Sequence, residues 1–292
     1  MRVVAVIPCY NEERYIGSVV LKTKKYVSDV IVVDDGSIDK TAEIAELAGA
    51  IVVRHEKNMG KGMALNTGIK KAKELGADIL VLLDGDYQHN PDEIPSLISP
   101  LLNEEIDIAV GSRFLDVESK MPGYRKFGEH ILTLFSNAGS KVKLTDSQSG
   151  FRVLSKEAIE GLHFDSNGFA VESEMQFLAE ELGLKIKEVP ISVSYEDKPK
   201  RNPFSHGLDV LAHIISFIGE RRPLLFFGVS GIIILLLGIL VGIWVVDRTS
   251  HTGSLPVGTA MISLLLCIIG TLTFFIGIVL NSVKNLIKRG EK

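Results

Sequence analysis

Short runs of Val, Ile and Leu alternate with longer stretches of mixed apolar and polar residues over the first 113 positions of the chain. The runs "VVAVIP" (3–8), "VIVVDD" (30–35), "IVVRH" (51–55), "ILVLLD" (79–84) and "DIAVGSR" (107–113) predict β-strands. Stretches at about 12–25, 39–48, 62–75 and 92–103 predict the helices between them. Three joints share one pattern, "ELAGAIVV", "ELGADILVLL" and "ELGLKIKEV", in which a helix closes on glycine before a strand begins. Strands that are apolar throughout, rather than alternately, have both faces covered. The expected fold is therefore α/β with a mostly parallel sheet. Ligands in such folds bind beyond the carboxyl ends of the strands.

The C-terminal third has another pattern. No charged residue occurs from Pro223 to Val246, or from Val257 to Val283. Each run is long enough to cross the ~30 Å of bilayer hydrocarbon as a helix. Spans at about 223–246 and 257–280 thus form a hairpin within 223–283, preceded by a soluble domain over 1–203 and followed by a basic tail at 284–292. Between domain and hairpin, residues 204–222 place Leu208, Leu211, Ile215 and Ile218 on one face, as a helix lying in the membrane interface does. A second amphipathic segment, 124–143, carries Ile131, Leu132, Leu134 and Phe135 between basic ends and suits either an interface or a core. Arg221 and Arg222 precede the first span and Lys284, Lys288, Arg289 and Lys292 follow the second, so both termini are expected in the cytoplasm. The start "MRVVAVIPCYNEER" lacks a secretory pattern and agrees with a multi-pass protein whose soluble domain stays inside. "GILVG", Gly238 to Gly242, offers close packing either within one hairpin or between hairpins of a homo-oligomer.

Composition excludes several classes. Apolar residues make up 46% of the 292 positions, and mean hydropathy is +0.24, high for a purely soluble protein. A net charge of -4 gives no reason to expect nucleic acid. Cys9 and Cys267 are too few and too far apart for a disulfide framework.

Chemistry concentrates at the strand ends, which read "PCYNEE", "DDGSIDKT", "DGDYQH" and "GSRF". None carries a glycine-rich dinucleotide or P-loop signature. Acids at a phosphate-binding end repel phosphate unless a hard divalent cation bridges them, and Mg²⁺ or Mn²⁺ binds one or two carboxylates together with substrate phosphates. In extended backbone Asp84, Asp86 and Gln88 would point the same way and converge on one ion, with Gly85 letting the backbone approach. A calcium loop fails, because its sixth and twelfth positions would be His89 and Pro95. A plain Asx turn remains the bland alternative.

The ordered set "VIPCYNEE", "VVDDGSIDKT", "NMGKGMALNTGI", "LLDGDYQHNP" and "GSRF" resembles the inverting, family-2 glycosyltransferases with a GT-A fold. The later "DSQSGFRVLSK" and "KEVPISVSY" are similar to the branch that glycosylates polyprenyl phosphates, the dolichol-phosphate-mannose-synthase-like enzymes. The resemblance covers roughly residues 2–200. It implies a nucleotide site at Pro8, Tyr10 and Glu12, base and ribose contacts at Val33 and Asp35, and a metal and diphosphate set at Asp84, Gly85, Asp86 and Gln88. It further implies that Arg113 reaches the donor and that Arg201 contacts phosphate, while His206 stands where the family usually has Lys. The implied reaction moves a hexose from a UDP- or GDP-sugar to a polyprenyl or dolichyl monophosphate, with Asp86 and Arg113 central to catalysis.

Each residue also has a plainer role. Tyr10 can cover the sheet edge, Asp34, Asp35 and Asp39 can cap helices, Lys61 can complete a turn, and Arg113 can pair with an acid. Glu172 and Glu174, two apart on a helix, are expected to face different directions, with at least one at the surface. A phosphate acceptor needs no general base, so both are expected to be dispensable. Among rival functions, a processive polysaccharide synthase needs a tryptophan motif, but the sole Trp244 lies in a span. Transfer to a hydroxyl acceptor and a non-catalytic nucleotide-sugar binder remain as alternatives.

Overall fold

The computed structural model describes residues 1–115, 121, 123–164, 171–193, 208, 210–212, 214–216, 218–219 and 222–290. Two compact units result, Met1–Ile214 and Ile215–Lys292. The expected boundary at residue 203 and the sequence positions Lys198, Lys200, Arg201, Ser205 and His206 lie outside the described residues.

The first unit is built on strands β1 (Val3–Cys9), β2 (Asp29–Asp34), β3 (Ile51–Arg54), β4 (Ile79–Leu82), β5 (Ile108–Ser112), β6 (Arg152–Leu154) and β7 (Ile186–Pro190). Their order in the sheet is β3-β2-β1-β4-β6-β5-β7. All neighbours run parallel except β6, which is antiparallel to both β4 and β5. The helices are α1 (Ile16–Thr23), α2 (Thr41–Leu47), α3 (Lys61–Glu74), α4 (Ile94–Asn103), α5 (Gly123–Gly139), α6 (Lys156–Gly161) and α7 (Val171–Leu182).

Side-chain alternation along the strands feeds two cores. Val4, Val6, Ile31, Val33, Leu80 and Leu82 pack with Leu65 and Ile69 of α3 and Met175 of α7 on one face. Ala5, Ile7, Val30, Val32, Ile79 and Val81 pack with Val19 and Val20 of α1 and Leu97 of α4 on the other. Both faces are dry, so the strands are apolar without a period of two. Burying each such side chain is worth about 1.5–3 kcal/mol. The three glycine joints close as expected: Gly49, Gly76 and Gly183 have φ of 84°, 71° and 72°. One residue further on, the amides of Ala50, Ala77 and Leu184 donate to Ala45, Ala72 and Ala179 at 3.0, 3.1 and 2.8 Å, which caps each helix.

β6 was not expected. It is three residues long and contains Arg152, so it lacks the apolar signature of its neighbours. The segment near 124–143 does form a helix, but its buried positions are Thr133, Ser136 and Gly139. Tyr124, Phe127 and Leu134 are 63%, 68% and 67% exposed and Ile131 and Leu132 half-buried, so α5 turns its small residues inward and leaves several large apolar ones outward. Among the described residues of the expected interface helix, Val210, Ile214 and Ile218 are buried but Leu208 is 51% exposed.

The second unit contains a π-helical turn, Leu224–Gly228, that leads into a helix over Val229–Thr252, and a second helix over Val257–Gly290. Two segments are long and apolar enough to cross a membrane, Leu224–Thr252 and Val257–Leu286, and an 18-residue stretch within each has a mean hydropathy of 2.9 and 2.6 respectively. The first helix runs further than expected and consumes most of "DRTSHTGSLP"; it stops at Gly253, whose φ is 69°. Glycine sets the spacing of the pair. A Cβ on Gly231 would lie 2.5 Å from the Phe274 amide nitrogen, and one on Gly277 2.8 Å from the Gly228 nitrogen. Gly238 faces Cys267 and Gly242 faces Ser263, so both glycines of "GILVG" are spent within the hairpin. Ser263 Oγ donates to the Gly238 carbonyl at 2.8 Å across the same seam.

Candidate active site

The carboxyl ends of β1, β2, β4 and β5 converge on one polar region, and the antiparallel β6 completes it. Because β6 runs opposite to its neighbours, the loop before it, 146–150, lies at their carboxyl ends. Leu82 pairs with Arg152, which brings Gly150 against Asp84. Val110 also pairs with Arg152, which brings Asp146 against Arg113. Arg152 is fully buried and braces this loop, donating through Nε to Ser149 O at 2.9 Å and through Nη2 to Ser147 O at 2.8 Å.

Asp84 lies beyond β4, and residues 84–88 do not continue in extended backbone. Tyr87 has φ 62° and the Asp86 carboxylate accepts from the Gln88 amide at 3.0 Å, an Asx turn. The expected alternation of Asp84, Asp86 and Gln88 along a strand is therefore replaced by a turn. The acids are nevertheless close enough to interact strongly. Burial, and then the negative charge of Asp84, push the Asp86 carboxyl up to about 6. Partial desolvation works to raise Asp84 too, but Lys61, His89 and Arg113 hold it below its ordinary value. Gly85 is needed here, since a Cβ would run into Cys9 Sγ. Cys9 itself is buried, with its thiol pushed well up by burial and then by the charge of Glu12. It is a packing residue.

Lys61, in the first turn of α3, is a central cation of the site. Its Nζ is 2.6 Å from Asp84 Oδ1 and 2.6 Å from Glu172 Oε1. Burial lowers its basicity, but Asp84 and Glu172 together carry it above the ordinary lysine value. The surface role expected for one of Glu172 and Glu174 does not hold: they are 6% and 1% exposed, because α7 packs its first turn into the core. A Cβ on Gly150 would lie 2.6 Å from Asp84 Oδ2 and 3.0 Å from Lys61 Nζ, so only glycine leaves this ion pair undisturbed.

Arg113, just after β5, is 8% exposed. It binds Asp146 in a fork, Nε to Oδ2 at 2.6 Å and Nη2 to Oδ1 at 2.7 Å, with Glu129 of α5 at 3.5 Å. Asp146 stands in "DSQSGFR", the clue that points to it in the sequence; its partner is not discernible there.

Among the nucleotide-site candidates, Pro8 borders the cavity beside Lys61 and Asp84. Tyr10 is 40% exposed beyond β1, and the Glu12 amide donates to Thr41 Oγ1 at 2.7 Å. Val33 is fully buried in the core under α3. Asp35 accepts from the Met59 and Gly60 amides at 2.9 and 2.8 Å and meets His55 Nδ1 at 2.7 Å, so it shapes the loop that leads to Lys61. His55 Nε2 in turn meets Thr67 Oγ1 at 3.0 Å. Arg201 is outside the described residues.

Among the described residues no group of three or more His, Cys, Asp or Glu side chains gathers as a metal cage. Two carboxylates at the strand ends still fit a hard divalent ion that would take its other oxygens from substrate and water. Burial first, and then the charge of Asp84, raise Asp86, and such an ion would offset both.

Residues 4–162 match the family described as Glycosyl transferase family 2. The UDP-N-acetylglucosamine–dolichyl-phosphate N-acetylglucosaminyltransferase of Methanococcus voltae is 37% identical over 214 residues, covering 66% of this chain and 85% of that protein. The dolichol-phosphate mannosyltransferase of Pyrococcus furiosus is 32% identical over 254 residues, covering 80% and 70%. Among solved structures, glucosyl-3-phosphoglycerate synthase from Mycobacterium tuberculosis in complex with Mn²⁺ and UDP-glucose superposes with a TM-score of 0.60 at 27% identity, covering 75% and 79%. The mixed sheet is thus of the GT-A kind, and two apolar helices follow it. With acids, a lysine and an arginine gathered at the strand ends of that sheet, the chain belongs to glycosyl transferase family 2 and is a glycosyltransferase.

Proposed function

We propose that this chain moves a hexose from a nucleotide diphosphate sugar to a polyprenyl or dolichyl monophosphate at the cytoplasmic membrane face, with inversion at the anomeric carbon. The observation that carries the reading is the half-buried Asp84–Asp86 pair beside Lys61, in a chain with two membrane-length apolar helices. The names of the relatives support the lipid acceptor, and the Mn²⁺–UDP-glucose complex of a structural neighbour supports the metal and the donor class.

Asp84, Asp86 and Gln88 would hold Mg²⁺ or Mn²⁺, which when bound offsets the charge of the diphosphate and of the departing nucleoside diphosphate. The ends of β1 and β2 would cradle the nucleoside, with Tyr10 over it, Val33 contributing only main-chain atoms, and Asp35 fixing the loop at 59–60. Asp146 would hold Arg113 in a fixed orientation toward the phosphates. Arg201 would add a further phosphate contact. The acceptor needs no side-chain base, because a phosphate monoester has a second pKa of about 6 and is already mostly dianionic at neutral pH. The outward apolar face of α5 supports a site that works against lipid.

The test is transfer of labelled sugar into lipid by the full chain in membranes, using a panel of UDP- and GDP-sugars and a polyprenyl phosphate. Chelation should abolish transfer, and Mg²⁺ or Mn²⁺ should restore it; label appearing only in hydroxyl-bearing glycolipid would overturn the acceptor. For orientation, a cysteine at Ser254 in a background without Cys9 and Cys267 should react with an impermeant reagent outside intact cells. A cysteine at Lys292 reacting instead would reverse the topology.

A further inference from the structure

Lys61 occupies the position of a counter-ion that has two seats. Its Nζ is equally close, 2.6 Å, to Asp84 Oδ1 and to Glu172 Oε1, and these acids come from different elements, the end of β4 and the first turn of α7. Lys61, Asp84, Gly150 and Glu172 border one small cavity, whose remaining walls include Leu65, Leu82 and Met175. The lysine side chain is 15% exposed and that of Glu172 8% exposed, so water does little to screen them. Gly150 leaves the space in which Nζ and Asp84 meet.

We infer that Lys61 is an internal stand-in for the divalent cation: it neutralises Asp84 until metal arrives, and Glu172 then retains it. The inference rests on the reading of Asp84 and Asp86 as metal ligands. A divalent ion on Asp84 places two more positive charges within a few ångströms of Nζ, turning attraction into repulsion. Without a second seat the ammonium would be stranded in a poorly solvated position, at the full cost of a buried unpaired charge. Glu172 supplies that seat and makes the exchange possible. Lys61 therefore competes with the metal for Asp84, and Glu172 is a positioning residue that weakens this competition. Metal entry and lysine displacement are one coupled equilibrium. The freed ammonium, still at the strand ends, becomes available to the donor's phosphates in the same step that loads the ion.

The experiment measures binding of Mn²⁺ alone, by the paramagnetic resonance signal of free Mn²⁺, to the full chain in detergent without nucleotide. Lys61→Met should bind Mn²⁺ about tenfold more tightly than wild type, and Glu172→Gln several-fold more weakly. A sum of remote charges would give the same signs, so the double variant decides. If Glu172 acts through Lys61, Glu172→Gln has little effect in the Lys61→Met background. An equal effect in both backgrounds, or no tightening by Lys61→Met, overturns the inference. If Lys61→Met alone fails to fold, the double variant should still bind more tightly than Glu172→Gln, and equal binding overturns the inference as well. Absence of any Mn²⁺ binding by wild type, matched by Asp86→Asn, would instead remove the metal reading beneath it.

Discussion

Glycine does opposite work in the two units. In the sheet unit, Gly85 and Gly150 make room for functional groups: a Cβ at the first would strike Cys9, and one at the second the Asp84–Lys61 pair. In the hairpin, Gly231, Gly270 and Gly277 make room for backbone, each lying against main-chain atoms of the facing helix. The solvent explains the difference. Water drives the sheet's apolar faces together at about 25 cal/mol per Å², and this leaves enough stability to bury Glu172, Arg113 and Asp146 and half-bury Asp84 and Lys61 at the strand ends. In lipid, the medium their composition suits, apolar helices have no such drive, so close van der Waals contact and hydrogen bonds such as Ser263 to Gly238 hold the pair. One unit stores charge and the other excludes it.

The sharpest way to break that contrast is at the acids. Asp86→Ala should lower the initial rate of sugar transfer by roughly 10³-fold, about 4 kcal/mol of transition-state stabilisation; near-normal, chelator-insensitive rates would contradict the metal role. Next, Asp146→Ala should cost about 3 kcal/mol of stability, because it leaves Arg113 buried with Glu129 as a weaker partner at 3.5 Å. Thermal unfolding of the solubilised chain reads this directly. Gly150→Ala should cost about 2 kcal/mol through overpacking, and should weaken Mn²⁺ binding by displacing Asp84. The smallest change is expected in the hairpin, where Ser263→Ala should cost about 0.6 kcal/mol, the usual worth of an interhelical bond in a membrane. A reconstituted unfolding titration that ranked Ser263→Ala above Gly150→Ala would reverse the proposed division of labour.

Much of the scaffold was legible because its causes are local. Five strands declared themselves by apolar runs, and Gly49, Gly76 and Gly183 marked helix ends because only glycine closes a helix cheaply at positive φ. The sequence shows charged residues gathering at the strand ends, but not how they pair. Lys61 with Glu172, and Arg113 with Asp146, join positions far apart in the chain, and no periodicity couples them. Val33 shows a limit of another kind: its neighbours Asp34 and Asp35 belong to the polar end of the sheet, yet its own side chain lies in the core under α3. α5 shows a third. Its apolar residues suit either an interface or a core, and the pattern alone does not show that Thr133, Ser136 and Gly139 are the buried positions.

The antiparallel strand β6 also has a consequence for how the protein is made. Ribosomal synthesis delivers β4 and β5 well before Arg152–Leu154, yet those two strands do not touch in the finished sheet except through β6. Until the latecomer threads between them, each has an open edge with unpaired amides and carbonyls, the kind of edge that recruits other chains. Closing the gap requires a contact such as Leu80 with Leu154, a distant pairing whose loop-closure cost makes it slow. β4 and β5 therefore lack their shared partner until residue 154 has emerged, and β5 waits longer still for β7, which pairs with its other edge.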